Sequence, residues 1–188
     1  KLARKSGARI MYIDHHVAHA ATAYRCANFG DANIITIDGA GETESAVLYE
    51  GRGGSIVIRA SIPIAKRFDR QAIRSIGKTY TRMTNFLRLG SHAEGKTMGL
   101  ASYGTPRFDM SNILNVRSFS EWTIDLRNVK KLYDKHRRSD ASLPITQVEK
   151  DLAASLQKAL EETFVNLGRD AFERTGLRKF ALAGGVTL

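Results

Sequence analysis

The apolar positions change period several times along the chain, and each change predicts an element. Ala8 to Ile13 is a short apolar run ending at Asp14, which predicts a strand. His15 to Ala27 is rich in Ala with helical spacing of its apolar residues, so a helix follows, with Asp14 suited to cap it and Asn28-Phe29-Gly30-Asp31 to stop it. Asn33-Ile34-Ile35-Thr36-Ile37-Asp38 is β-branched and borders a glycine-rich turn, Gly39-Ala40-Gly41-Glu42, beyond which Glu44 to Glu50 alternates. The two runs predict a hairpin. A turn at Gly51 to Ser55 leads to a further strand, Ile56 to Ile64.

From Ser75 the period becomes helical. Thr79 to Leu89 sets Tyr80, Met83, Phe86 and Leu87 on one face, and Gly90-Ser91-His92 ends it. Ala93 to Gly104 reads as a loop with a short helical centre, and a polar, poorly patterned stretch runs to about Ser142. A long helix spans Thr146 to Thr175 with the stripe Val148, Leu152, Leu156, Leu160, Phe164, Leu167 and Phe172; Gly176 closes it, and a strand covers Lys179 to Ala183. Mixed strands, a hairpin and a long helix predict an α/β fold with a sheet of mixed direction.

Composition narrows the class. With 188 residues, 43% of them hydrophobic and 26% charged, collagen-like, disordered and disulfide-scaffold readings are excluded. No apolar run approaches the roughly 18 to 20 residues that cross a bilayer, and Lys1 to Lys5 does not lead into a signal-peptide apolar segment, so a cytoplasmic protein is expected. The single cysteine, Cys26, reads as a small core residue. The absence of an initiator Met and the apolar end Leu182 to Leu188, broken by a diglycine, suggest a piece of a longer protein. The formal charge is +10, with basic stretches at Arg52 to Arg82 and Arg127 to Arg138. Aromatic residues are sparse among them and no nucleic-acid motif appears, so a site for anionic small molecules explains the balance equally well.

Four constellations carry candidate chemistry. In Asp14-His15-His16-Val17-Ala18-His19-Ala20, His15 and His19 share a helical face while His16 points about 100° away. Such a pair can chelate a divalent cation, although three histidines so close together also fit a solvated surface or a hydrogen-bonded core. Asp38, at the end of an apolar strand beside a glycine loop, strengthens the metal reading, and two His with one carboxylate suit zinc or non-haem iron(II). Gly39-Ala40-Gly41-Glu42 can form an anion-binding nest or simply a tight turn. Gly77 before a helix offers free amides, and Lys96, within Glu94 to Gly104, a point charge for phosphate or simply a solvated lysine in a flexible turn; the spacing is not that of a Walker loop. Gly184-Gly185 can let a nucleoside lie against the backbone, or mark a turn.

In this order, Asp14 to Ala21, Thr36 to Glu42, Glu94 to Gly104 and Leu182 to Val186 resemble the NodU/CmcH family of carbamoyltransferases over nearly the whole chain. The resemblance implies an actin-like ATPase (ASKHA) fold, similar to the tRNA threonylcarbamoyl transferase catalytic subunit and the hydrogenase-maturation carbamoyltransferase. Members convert carbamoyl phosphate and ATP to carbamoyladenylate and pass the carbamoyl group to a hydroxyl-bearing acceptor. Carried over by position, His15, His19 and Asp38 would bind Fe2+ or Zn2+, while Gly39, Gly41, Glu42, Gly77, Lys96, Gly184 and Gly185 would line the nucleotide. No catalytic residue is assigned. Residues 1–188 are then part of one such domain, truncated at both ends. The family's first strands, a further acidic metal ligand and the smaller YrdC-like domain that makes the carbamoyladenylate are expected outside them. The alternatives are a tRNA threonylcarbamoyl-transferase-like protein and a non-catalytic basic nucleic-acid-binding module with structural histidines; nucleic acid and membrane partners are not expected.

Overall fold

The computed structural model describes residues 9–64, 74–136, 138–140 and 142–187. Helix α1 (His15–Ala27) leads into a four-stranded sheet built from β1 (Asp31–Ile37), β2 (Glu44–Arg52), β3 (Ser55–Pro63) and, late in the chain, β6 (Phe180–Ala183). Between β3 and β6 come α2 (Ile76–Phe86), α3 (Glu94–Ala101), a small hairpin of β4 (Leu114–Val116) and β5 (Trp122–Ile124), α4 (Leu126–His136) and the long α5 (Gln147–Thr175). The sheet order is β3-β2-β1-β6, with the first two pairings antiparallel and β1-β6 parallel. The expected α/β class with a mixed sheet is therefore present.

β1 and β2 are buried almost throughout because both of their faces are covered. Ile35, Ile37, Ala46 and Leu48 point into the main core with α2 and α5, whereas Ala32, Ile34, Val47 and Tyr49 meet Ala20 and Tyr24 of α1 on the other face. β3, at the sheet edge, is mostly exposed. Asp14 caps α1 by accepting the Val17 amide at 3.1 Å, and Asn28 ends it in the left-handed region at φ 50°. α5 starts with a capping box, in which Thr146 accepts the Glu149 amide and Glu149 accepts the Thr146 amide; Gly176 closes it at φ 73°. Because α5 is the crossover to a strand parallel with β1, the carboxyl ends of β1 and β6 lie side by side. That adjacency builds the site.

Several expectations are corrected. Residues 9–13 form no strand: nothing among the described residues pairs with them, so their backbone has no ladder, and Ile10, Met11, Tyr12 and Ile13 stand exposed. Cys26 is exposed rather than core, since α1 buries His16, Ala20 and Tyr24, four residues apart, and Cys26 lies off that face. Val148 and Phe172, at either end of the α5 stripe, are exposed at 39% and 40%. The stretch read as poorly patterned contains the β4-β5 hairpin and α4, whose Leu126, Val129 and Tyr133 are buried at helical spacing. α2 begins at Ile76, three residues earlier than expected, because the Ser75 hydroxyl caps the Lys78 amide. Part of the basic Arg52 to Arg82 stretch, residues 65–73, and Arg137 of the second stretch lie outside the described residues. No helix among the described residues is long and apolar enough to cross a membrane.

Candidate metal centre and adjoining cavity

α1 directs its first turn at the end of β1. His15 and His19 each bring Nε2 to the same carboxylate oxygen, Asp38 Oδ2, at 3.0 and 3.1 Å. Their rings meet edge to face with centroids 4.6 Å apart. The donor atoms of His15, His19 and Asp38 all lie within 4.8 Å of one another, and the three residues are half-buried. Two nitrogens and one oxygen converging this closely fit a cation of the zinc or iron(II) type with coordination positions left for other ligands.

The cluster is held from behind. His16, between the two, is fully buried: its Nε2 donates to the Glu44 carbonyl at 2.9 Å, so its Nδ1 accepts from the Thr36 hydroxyl at 2.8 Å. This histidine ties α1 to β1 and β2 and takes no part in the cluster. Gly41 is flush against it, since a Cβ there would lie 2.5 Å from His16 Cδ2. The Glu42 carboxylate accepts the His15 backbone amide at 3.1 and 3.2 Å, placing negative charge at the amino end of α1.

Asp38 also accepts the amides of Gly39 and Gly185, the latter at 3.2 Å. Burial pushes its carboxyl up, but the hydrogen bonds from His15, Gly185 and Gly39 outweigh burial and hold it below the usual carboxylate range. At neutral pH it is an anion, the form that a cation needs. Gly184 turns the chain at φ 103°, where a Cβ would strike the Ile37 carbonyl at 2.2 Å, and so allows the Gly185 amide to reach Asp38.

A cavity of about 780 Å³ opens beside the cluster, within the size range of ligand pockets. The start of α2 forms one wall. Ser45 accepts the Ile76 amide at 3.0 Å and Ser75 donates to the Gly39 carbonyl at 2.7 Å, so the helix is pinned to the turn after β1. A Cβ on Gly77 would lie 2.7 Å from Gly39 Cα, which only glycine avoids.

Of the residues expected at a nucleotide, Gly39, Gly77 and Gly185 line this cavity together with Asp38. Gly41, Glu42, Gly184 and Lys96 are not in its wall. The Gly41 amide donates to the Glu44 carbonyl at 3.0 Å within the turn, and the Gly39 amide is committed to Asp38, so this turn is not an open nest. The Lys96 ammonium donates to the Leu89 carbonyl at 3.3 Å. Lys78, Tyr80, Thr81, His92, Glu94 and the α5 face carrying Gln157 and Glu161 line the cavity and were not anticipated. A signal for the α5 face existed: Gln157, Leu160, Glu161 and Phe164 follow helical spacing, mixing polar with apolar residues on one side.

Comparison with known proteins agrees with the motifs. The profile described as carbamoyltransferase N-terminus matches residues 1–188. The nodulation protein NolNO of Sinorhizobium fredii is 33% identical over 182 residues, covering 95% of this chain and 26% of that protein. The nodulation protein NolO of Bradyrhizobium diazoefficiens is 29% identical over 178 residues, 93% of this chain and 31% of its own length. An uncharacterized protein of Synechocystis, sll1178, is 29% identical over 196 residues, 95% of this chain and 30% of that protein. The chain thus spans between a quarter and a third of the length of these curated relatives. With a family profile matched from end to end and nodulation proteins among its relatives, the chain belongs to the carbamoyltransferase N-terminus family.

Proposed function

We propose that this chain forms the metal- and nucleotide-binding part of a carbamoyltransferase that uses ATP and carbamoyl phosphate, through carbamoyladenylate, to carbamoylate an acceptor hydroxyl. The observation that carries the reading is the convergence of His15, His19 and Asp38 at the edge of the 780 Å³ cavity. An ASKHA-type fold is part of the same proposal, and the mixed sheet with its site at the carboxyl ends of β1 and β6 is compatible with it.

His15, His19 and Asp38 would hold Zn2+ or Fe2+, which supplies Lewis-acid polarisation of a carbamoyl or phosphate oxygen when bound. The protein's own part is placement. His16 and Glu42 fix the helix that bears the histidines, and the Gly185 amide orients Asp38. Gly39 and Gly77 let the turn and the α2 terminus approach each other, shaping the cavity wall against which the adenylate rests. In the transfer, the acceptor oxygen attacks the carbamoyl carbon, the bond from that carbon to the AMP phosphate oxygen breaks, AMP takes the electron pair, and the hydroxyl proton is released. Fixing the two reactants in this order is the main contribution such a site makes.

The test uses a protein carrying this chain at the full length of its relatives. Carbamoyl-phosphate-dependent exchange of labelled pyrophosphate into ATP, followed by AMP release when acceptor is added, is the expected result. Failure of carbamoyl phosphate to support exchange would overturn the proposal.

A further inference from the structure

The charged groups in the cavity wall are unequally matched. Asp38 is occupied by both histidines and by amides. Glu94 accepts the Thr81 hydroxyl at 2.8 Å, and Glu161 accepts the Gln157 amide at 2.9 Å, whose own oxygen accepts the Tyr80 hydroxyl at 2.9 Å. The Lys78 ammonium lines the same cavity and has no hydrogen-bond or ion-pair partner among the described residues. Its side chain leans over the turn that follows Asp38: a Cβ on Gly39 would lie 3.8 Å from both Lys78 Cε and Nζ. The Lys78 backbone amide is already bound by Ser75, so only the ammonium is free for a ligand. Lys96, which the family resemblance places at the nucleotide, instead bonds a backbone carbonyl and is absent from this wall.

An unmatched ammonium in a cavity wall beside a candidate metal cluster is a point charge suited to phosphate. The geometry points to Lys78 as the residue that binds a phosphoryl group of the cavity's ligand. This rests on the nucleotide reading above and deepens it by naming the contact for the ligand's charge. Both ATP and carbamoyl phosphate carry the required group.

The test measures equilibrium binding of ATP, adenosine and carbamoyl phosphate to a zinc-loaded protein carrying this chain at the full length of its relatives, comparing wild type, Lys78→Met and Lys158→Met. Lys158, paired with Glu162 at 3.8 Å on an exposed part of α5, controls for the loss of one positive charge. Lys78→Met should weaken ATP, carbamoyl phosphate or both by about tenfold or more, as expected for a lost charge-assisted hydrogen bond. Which of the two weakens identifies the phosphoryl source. Adenosine affinity should stay unchanged, and Lys158→Met should match wild type for every ligand. Unchanged binding of both phosphorylated ligands in Lys78→Met would overturn the assignment and leave the nucleotide reading standing. An equal loss of adenosine would overturn it too, by showing a structural role. Failure of the wild type to bind ATP, adenosine or carbamoyl phosphate would overturn the nucleotide reading and the assignment together.

Discussion

The His16 imidazole and the Thr36 hydroxyl meet at 2.8 Å in the fully buried space between α1 and the sheet, outside the cluster itself. His16 sits directly after His15 in the chain, yet the two have different tasks. His16→Ala removes two buried hydrogen bonds, to the Thr36 hydroxyl and the Glu44 carbonyl, and the packing of a fully buried ring, and the two bonds alone are worth about 1 to 3 kcal/mol. His19→Ala removes a half-exposed ring and costs little stability. Urea denaturation should therefore show a clear loss for His16→Ala and near-wild-type behaviour for His19→Ala, with the order reversed in metal affinity.

The glycines divide in the same way. Gly77→Ala would place a methyl group 2.7 Å from Gly39 Cα and 2.9 Å from Val186 Cγ2, and the backbone must move. A loss of about 1 to 3 kcal/mol is expected, as for other overpacked sites. Gly168 lies inside α5 with nothing within 4 Å of a Cβ, so Gly168→Ala should stabilise the chain by about 0.5 to 1 kcal/mol through helix propensity. Thermal melts of the two variants should shift in opposite directions.

Asp151 links stability to pH. Its buried carboxylate accepts the Thr105 amide at 2.8 Å and the Gln147 amide at 2.9 Å, joining the start of α5 to the turn after α3. The Thr105 and Gln147 hydrogen bonds hold its carboxyl below the usual range against the opposing effect of burial. A lowered folded value means stability that is present above the ordinary Asp value of about 3.9 and lost as pH falls through the lower folded value. The melting-temperature gap between wild type and Asp151→Asn should be constant near neutrality and narrow below about pH 4. A gap that stays constant into acid would show that Asp151 is not the group responsible.

What the chain announces locally proved readable, and what depends on packing did not. The four-residue spacing of His15 and His19 fixes a shared face, and a β-branched run ending at Asp38 fixes a strand end, so the cluster follows from two local patterns. Gly185 reaches Asp38 only because β6 lies parallel beside β1, which no local pattern states. Lys78 and Glu161 share a cavity because α2 and α5 pack together, so neither stands out alone. α4 escaped notice because lysines and arginine surround Leu126, Val129 and Tyr133 and lower the mean hydropathy while the spacing stays helical. Residues 9–13 misled in the opposite sense: an apolar run supplies side chains for a strand but not the neighbour that completes it.

Central to the proposed function is that His15, His19 and Asp38 hold one divalent cation. Calorimetric titration of the chain with Zn(II), and with Fe(II) under anaerobic conditions, tests it against His19→Ala and Asp38→Asn, each shown by circular dichroism to be folded. Saturable one-to-one binding in the wild type, lost in both variants, is the predicted result. No saturable binding to the folded wild type, or equal affinity in all three proteins, would contradict it.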